Sequence, residues 1–149
     1  MPAFVTLGRI LFALLFVAAG VSKLMDLSAT AQMTEKIVLP AMLAPYTAQL
    51  ETLVGMPLPK ILAIAAAALE LVCGLMIALN FGARFFAFLL ILFVAAATFY
   101  FHDFWNQASG ADATNNITHA LKNVAIIGAL FMIIGDGGAG KHREPAYDV

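Results

Sequence analysis

Four apolar runs alternate with polar stretches along the chain, over about 4–25, 60–80, 84–105 and 117–134. About 20 apolar residues at ~1.5 Å rise cross the ~30 Å hydrocarbon core of a bilayer, so each run predicts a transmembrane helix. The second and third runs are joined by Asn80, Phe81, Gly82, Ala83 and Arg84, which predicts a helical hairpin with Gly82 as a C-cap. Both termini then fall on one side, the terminal side, and the two longer connections on the other, the loop side. The fold class is all-α: an antiparallel four-transmembrane-helix bundle, one domain over 1–135, with a flexible polar tail over 136–149.

Polar residues inside the runs refine this picture. Glu70 lies ~15 Å from either end of the second run and shares a stripe with Ala63, Ala66, Ala67 and Gly74. Small residues let helices approach closely in lipid, so Glu70 faces protein. Gly128 and Ala125 suggest a similar side on the fourth run. Arg9 and Lys23 share one face of the first run, with Phe16 and Gly20 between them. Lys23 reads as an interfacial cation with Asp26 nearby. Arg9 lies about a turn and a half inside, where a charge needs a partner, and Glu70 is the expected one. The loop-side segment 27–59 predicts a short helix over 28–37 with Ser28 as N-cap. Pro40, Pro45, Pro57 and Pro59 then break the chain. This segment is longer than a connector requires and is read as an interfacial lid over 40–58. Residues 107–116 read as a small-polar loop, with Asn116 or Thr118 capping the last helix.

Composition agrees with the pattern. The chain has 149 residues, of which 62% are apolar and only 11% charged. Mean hydropathy is +0.93. This excludes a soluble domain, and a net charge of -1 argues against a nucleic-acid partner. The single cysteine, Cys73, excludes an internal disulfide and lies mid-span without a base nearby in sequence. The first run is a retained span and not a leader, because its Ser22-Lys23 end lacks a small-residue cleavage site. Lys and Arg divide equally between the sides: Arg9, Arg84, Lys141 and Arg143 against Lys23, Lys36, Lys60 and Lys122. Placing Lys23 and Lys122 in the bundle interior thins the loop side, so the termini are expected in the cytoplasm.

The candidate chemistry gathers toward the loop side. His102, Asp103 and Trp105 end the third run; His119, Lys122 and Asn123 share a face at the start of the fourth. A charge at the bilayer centre costs at least ~2.5 kcal/mol on insertion scales, so such residues need a reason. One reason is an ion-pair lattice, Arg9–Glu70 and Asp103–Lys122, that fixes helix register. Another is a ligand site built from His102, His119, Lys122, Asn123, Glu70 and Trp105. Trp105 and Tyr100 also fit an interfacial aromatic belt. No metal is expected, since the histidine spacing matches no ligand pattern and Lys122 repels a cation.

The ordered motifs Gly8-Arg9, residues 20–23, Glu70 with Gly74, residues 102–105 and Lys122-Asn123 together resemble the DoxX family of small four-helix membrane proteins. The resemblance implies an integral protein of the bacterial inner membrane. It also implies association with redox systems, because relatives include a subunit of thiosulfate:quinone oxidoreductase and partners of superoxide dismutase. Two readings follow. In the first, the protein is a membrane subunit that binds a quinone-like small molecule or lipid, within an oxidoreductase system and not as a self-sufficient enzyme. His102, Lys122 and Glu70 would hydrogen-bond the ligand oxygens, and the chain itself binds no redox cofactor. In the second, it is a non-enzymatic scaffold that recruits a soluble redox partner. Homo-oligomerisation is compatible with both.

Overall fold

The computed structural model describes residues 2–136. Beyond Asp136 the expected tail lies outside the described residues. The helices are α1 (Pro2–Met25), α2 (Leu27–Thr34), α3 (Ala44–Val54), α4 (Leu58–Ala78), α5 (Ala83–Phe101) and α6 (Ala111–Asp136). Single 3-10 turns cover Ala41–Leu43 and Phe104–Asn106. Four segments, Ala3–Met25, Leu58–Ala78, Ala83–Asn106 and Ala111–Asp136, are long and apolar enough to cross a membrane. Helices satisfy every backbone group internally, which lipid demands of a spanning segment. The all-α, four-span expectation therefore stands.

Packing follows chain order: α1 on α4, α4 on α5, and α5 on α6. The tightest seam is α1 against α4. Gly20 sits so close that a Cβ there would meet the Ala67 carbonyl oxygen at 2.8 Å and the Leu71 amide nitrogen at 2.9 Å. At Gly74 a Cβ would meet the Val17 side chain and backbone at 3.0 and 3.1 Å. The sequence stripe is thus the seam, with Ala63, Ala67, Glu70, Cys73, Gly74 and Ile77 buried. Ile77, Leu90 and Leu130, from α4, α5 and α6, are the largest fully buried side chains, and Phe16 of α1 joins their cluster. Most other large apolar side chains on the spans, such as Phe4, Leu14, Leu92 and Phe131, point outward to where lipid would be. Gly128 and Ala125 also face outward, and nothing lies within 4 Å of a Cβ at Gly128. The close-packing side expected for α6 is therefore elsewhere, along Ala113, Ala120 and Leu130.

Local expectations needed correction at four places. Asp26, not Ser28, caps α2: its carboxylate accepts from the Ala29 amide and from the Ser28 hydroxyl. Those two donors hold the Asp26 carboxyl below the usual carboxylate range. The chain barely pauses there, so α2 continues along α4, and the buried Thr34 hydroxyl reaches the Pro59 carbonyl at 2.7 Å. At the hairpin, Asn80 takes the left-handed conformation that closes α4, with φ 56°. Its amide bonds Ile77 and the next amide, Phe81, bonds Met76, a Schellman pair. Gly82 serves instead at the N-cap of α5. α6 begins at Ala111, inside the stretch read as a loop. Thr114 and Thr118 turn their hydroxyls back to the carbonyls of Gly110 and Thr114, so small polar residues continue the helix and neither Asn116 nor Thr118 caps it. Finally, α3 packs on its preceding 3-10 turn and on α4, not on α5 or α6, so the segment 40–58 does not roof them. Glu51 of α3 accepts from the Leu58 amide and so secures the start of α4.

The seam carries a direct prediction. Gly20→Leu forces two backbones apart and should cost roughly 1–3 kcal/mol or more, read as a lower unfolding temperature in mild detergent. Gly128→Leu, in open space, should leave that temperature nearly unchanged.

Candidate functional site

Three polar groupings stand on this frame, and they are separate. The first is on the α1–α4 seam. Because Gly20 fixes the register, Lys23, one turn further on, lies opposite Glu70, and Lys23 Nζ reaches Glu70 Oε2 at 2.6 Å. The Glu70 side chain is 7% exposed and that of Lys23 31%. This is the only ion pair within 4.0 Å among the described residues. It corrects the expected Arg9–Glu70 pair. Arg9 is 11 residues from Gly20, about 16 Å along the helix, too far down the seam to compete. It also corrects the assignment of Lys23 to the interface, since Asp26 is occupied by α2.

The second grouping is at the loop end of α5 and α6. His102 and His119 stack face to face, with centroids 5.0 Å apart and planes 6° apart. His102 Nδ1 donates to Asn116 Oδ1 at 3.1 Å, Asn116 Nδ2 donates to Gln107 Oε1, and Gln107 Nε2 donates to Asp103 Oδ1. One turn deeper, Asn123 Nδ2 donates to the Thr98 hydroxyl at 2.8 Å. His102, His119 and Asn123 therefore lie along one seam, at the similar depth their positions in the third and fourth runs suggested. Lys122 is exposed and has no ion-pair partner among the described residues, so the Asp103–Lys122 pair does not form. Trp105 is 49% exposed and leans on Phe99 and Phe104, an arrangement that suits an interfacial belt. Glu70 belongs to the other seam. The main cleft of the molecule touches none of these residues. Among the described residues no three His, Cys, Asp or Glu side chains are grouped to hold a metal.

The third grouping was not anticipated as a site. A cleft of about 1100 Å³ opens at the terminal end between α1, the α4–α5 turn and α6. It follows from the packing order, because α1 and α6 each have a close neighbour but do not pack on each other. Arg9 lines it together with Asn80 and Gly82 of the turn, so Arg9 lies level with the end of the bundle and not deep within it. Its Nε is buried and has no hydrogen-bond partner among the described residues. Arg84 and Asp136 line the same cleft, whose walls include Phe12, Phe85 and Met132. The signal available in the sequence was Arg9 itself, a charge inside a span. What hid the site was the register, which only the two glycines set.

The comparisons with known proteins follow this geometry. The DoxX family model matches residues 4–103, a stretch that takes in Arg9, Lys23, Glu70, Arg84 and His102 but ends before α6. Over 145 residues the chain is 30% identical to the inner membrane protein YphA of Escherichia coli strain K12, an alignment covering 96% of this chain and 91% of that protein. No solved structure matches.

The Lys23–Glu70 pair gives a test with an asymmetry. Lys23→Met leaves the nearly inaccessible carboxylate alone and should cost on the order of 3 kcal/mol or more. Glu70→Leu leaves an ammonium that is partly exposed and can reach water or headgroups, so it should cost less. The double variant should recover part of the Lys23→Met loss in thermal unfolding. Strict additivity would count against the contact.

Proposed function

The chain belongs to the DoxX family, and from that premise we propose that it is an inner-membrane component that holds a lipid-soluble small molecule for a redox or stress pathway. It works as part of a larger system and not as a self-sufficient enzyme. The protein is integral to the membrane by its four apolar helices, and the similarity to an E. coli inner membrane protein supports the bacterial inner membrane as its location.

The observation that carries the reading is the cleft. A volume of about 1100 Å³ is ample for a quinone-like ring or a lipid segment, and small-molecule sites are of this kind: concave, mostly apolar, with few polar groups. It opens where α1 and α6 part, so an apolar ligand enters sideways from lipid. The loop-end residues His102, His119, Lys122 and Asn123 support a different role. Their histidine stack and exposed lysine lie outside the terminal cleft, which favours contact with a soluble partner over binding the molecule held there. That is the second reading, a scaffold for a redox partner, and the two are compatible at opposite ends of one bundle.

Orientation is part of the proposal. Glu70 neutralises Lys23, while Lys122 stays on the loop side against Lys36 and Lys60. The loop side then offers three free cations against four on the terminal side, which favours cytoplasmic termini.

Native mass spectrometry of the protein extracted from membranes should show a retained small molecule of about one copy per chain. Ala129→Trp, which fills the cleft wall, should lower that occupancy roughly tenfold, about 1.4 kcal/mol of binding. Unchanged occupancy in that variant removes the cleft reading; charge reversal at Lys122 that abolishes capture of a soluble redox protein would support the scaffold. For orientation, Ala3→Cys should be labelled only from the cytoplasmic face and Ser109→Cys only from the opposite face, against the buried Cys73.

A further inference from the structure

The polar rim of the cleft specifies the charge of what fills it. We propose that Arg9 and Arg84 form a recognition site for the phosphate of an anionic lipid headgroup, whose chains lie in the gap between α1 and α6. This deepens the cleft reading above and rests on it.

Four observations converge. Arg9 Nε is shut off from solvent and finds no hydrogen-bond partner among the described residues. A guanidinium that no internal acceptor holds can turn its N–H groups to an acceptor in the adjoining cleft. Arg84 lines the same cleft from the first turn of α5. A cation at that end opposes the helix dipole, so α5 does not itself account for it, whereas an anion between the two arginines does. Among the described residues Asp136 is the one acid on the lining, and no ion pair within 4.0 Å joins it to either arginine. Two guanidinium groups therefore face one carboxylate, which leaves a net positive rim.

Depth supplies the fourth observation. Arg9 shares the cleft with Asn80 and Gly82, the turn that ends two spans. Polar residues at the end of a spanning hairpin sit at headgroup level, while Phe12 and Met132 continue the wall toward the apolar zone. A ligand with an anionic head and an apolar body matches both halves. The planar guanidinium offers paired N–H groups that fit phosphate oxygens in two-point contacts, and Asn80 adds an amide on the same lining. A neutral ring would leave both arginines without a partner.

The experiment uses the full chain in a neutral detergent. Phosphatidylglycerol, phosphatidylcholine of the same acyl chains, a neutral ubiquinone analogue and inorganic phosphate are each added, with occupancy read by native mass spectrometry and thermal unfolding read alongside. The wild-type chain should take phosphatidylglycerol over phosphatidylcholine by roughly tenfold or more, as expected for two arginines near an anionic headgroup. Arg9→Gln with Arg84→Gln should bring that ratio close to one. Because Arg84 is exposed, Arg84→Gln alone keeps the fold and should lower the ratio by itself. Equal uptake of the two lipids by the wild-type chain, or an unchanged ratio in the double variant, overturns the proposal. Stabilisation by inorganic phosphate alone equal to that by phosphatidylglycerol overturns the assignment to a lipid. Binding of the quinone analogue without the anionic lipid overturns this inference and leaves the cleft reading standing; binding of none of them removes both.

Discussion

Everything in the bundle is referred to one close approach, the contact of α1 with α4 at Gly20 and Gly74. In lipid there is little hydrophobic gain from pressing two apolar helices together, so association depends on packing and polar contacts. Two missing Cβ atoms bring backbone against backbone: a Cβ on Gly20 would stand 2.9 Å from the Leu71 nitrogen and 2.8 Å from the Ala67 carbonyl oxygen. That approach permits one register. Lys23 is then opposite Glu70, Thr34 opposite Pro59, and α2 becomes a continuation of the same seam beyond a short break at Asp26. The ion pair is a consequence of the register and also its lock, because sliding α1 by one turn would leave a buried carboxylate unpaired.

The other seams are made differently. α4 and α5 are tied by a turn of four residues, closed by Asn80 in a left-handed conformation. α5 and α6 are stitched by side chains: Asn123 to Thr98, His102 to Asn116, and Asn116 through Gln107 to Asp103. Residues that look like a reaction centre in sequence are thus spent largely on holding two helices together. Between α1 and α6 there is neither a glycine approach nor a polar stitch among the described residues, and this is where the molecule opens.

The number of spans, their limits within a few residues, the turn between the central pair and the buried stripe on α4 were all legible, because membrane thickness and small-residue spacing leave few alternatives. The pairing of Glu70 was not. Counting rise from the ends of each span treats the helices as level, but α1 runs past α4 at the terminal end and α2 extends it at the other. That offset moves Arg9 out to the turn and brings Lys23 in to the acid. The start of α6 was missed because Asn, Thr and Ala were read as loop formers, although threonine hydroxyls can return to the preceding turn of a helix. That His119 and Asn123 share a face was legible from i+4 spacing, and that His102 meets them from its similar depth; that Lys122 is exposed was not, since a helix face is wide enough to hold both outcomes.

The position of the opening follows from where the polar contacts are spent. At the loop end several side-chain donors and acceptors are matched within the chain: His102 to asparagine, glutamine to aspartate, threonine to backbone. At the terminal end, Arg9 Nε has no such match. The guanidinium of Arg9 thus stands on the lining of the cleft, and the described residues give its Nε no acceptor. The same residue type buried at the Glu70 level would have been absorbed into the ion pair and contributed only stability. Burial depth, set by the α1–α4 register, therefore divides the two charged positions of α1: Lys23 closes the bundle through Glu70, and Arg9 lines the terminal cleft.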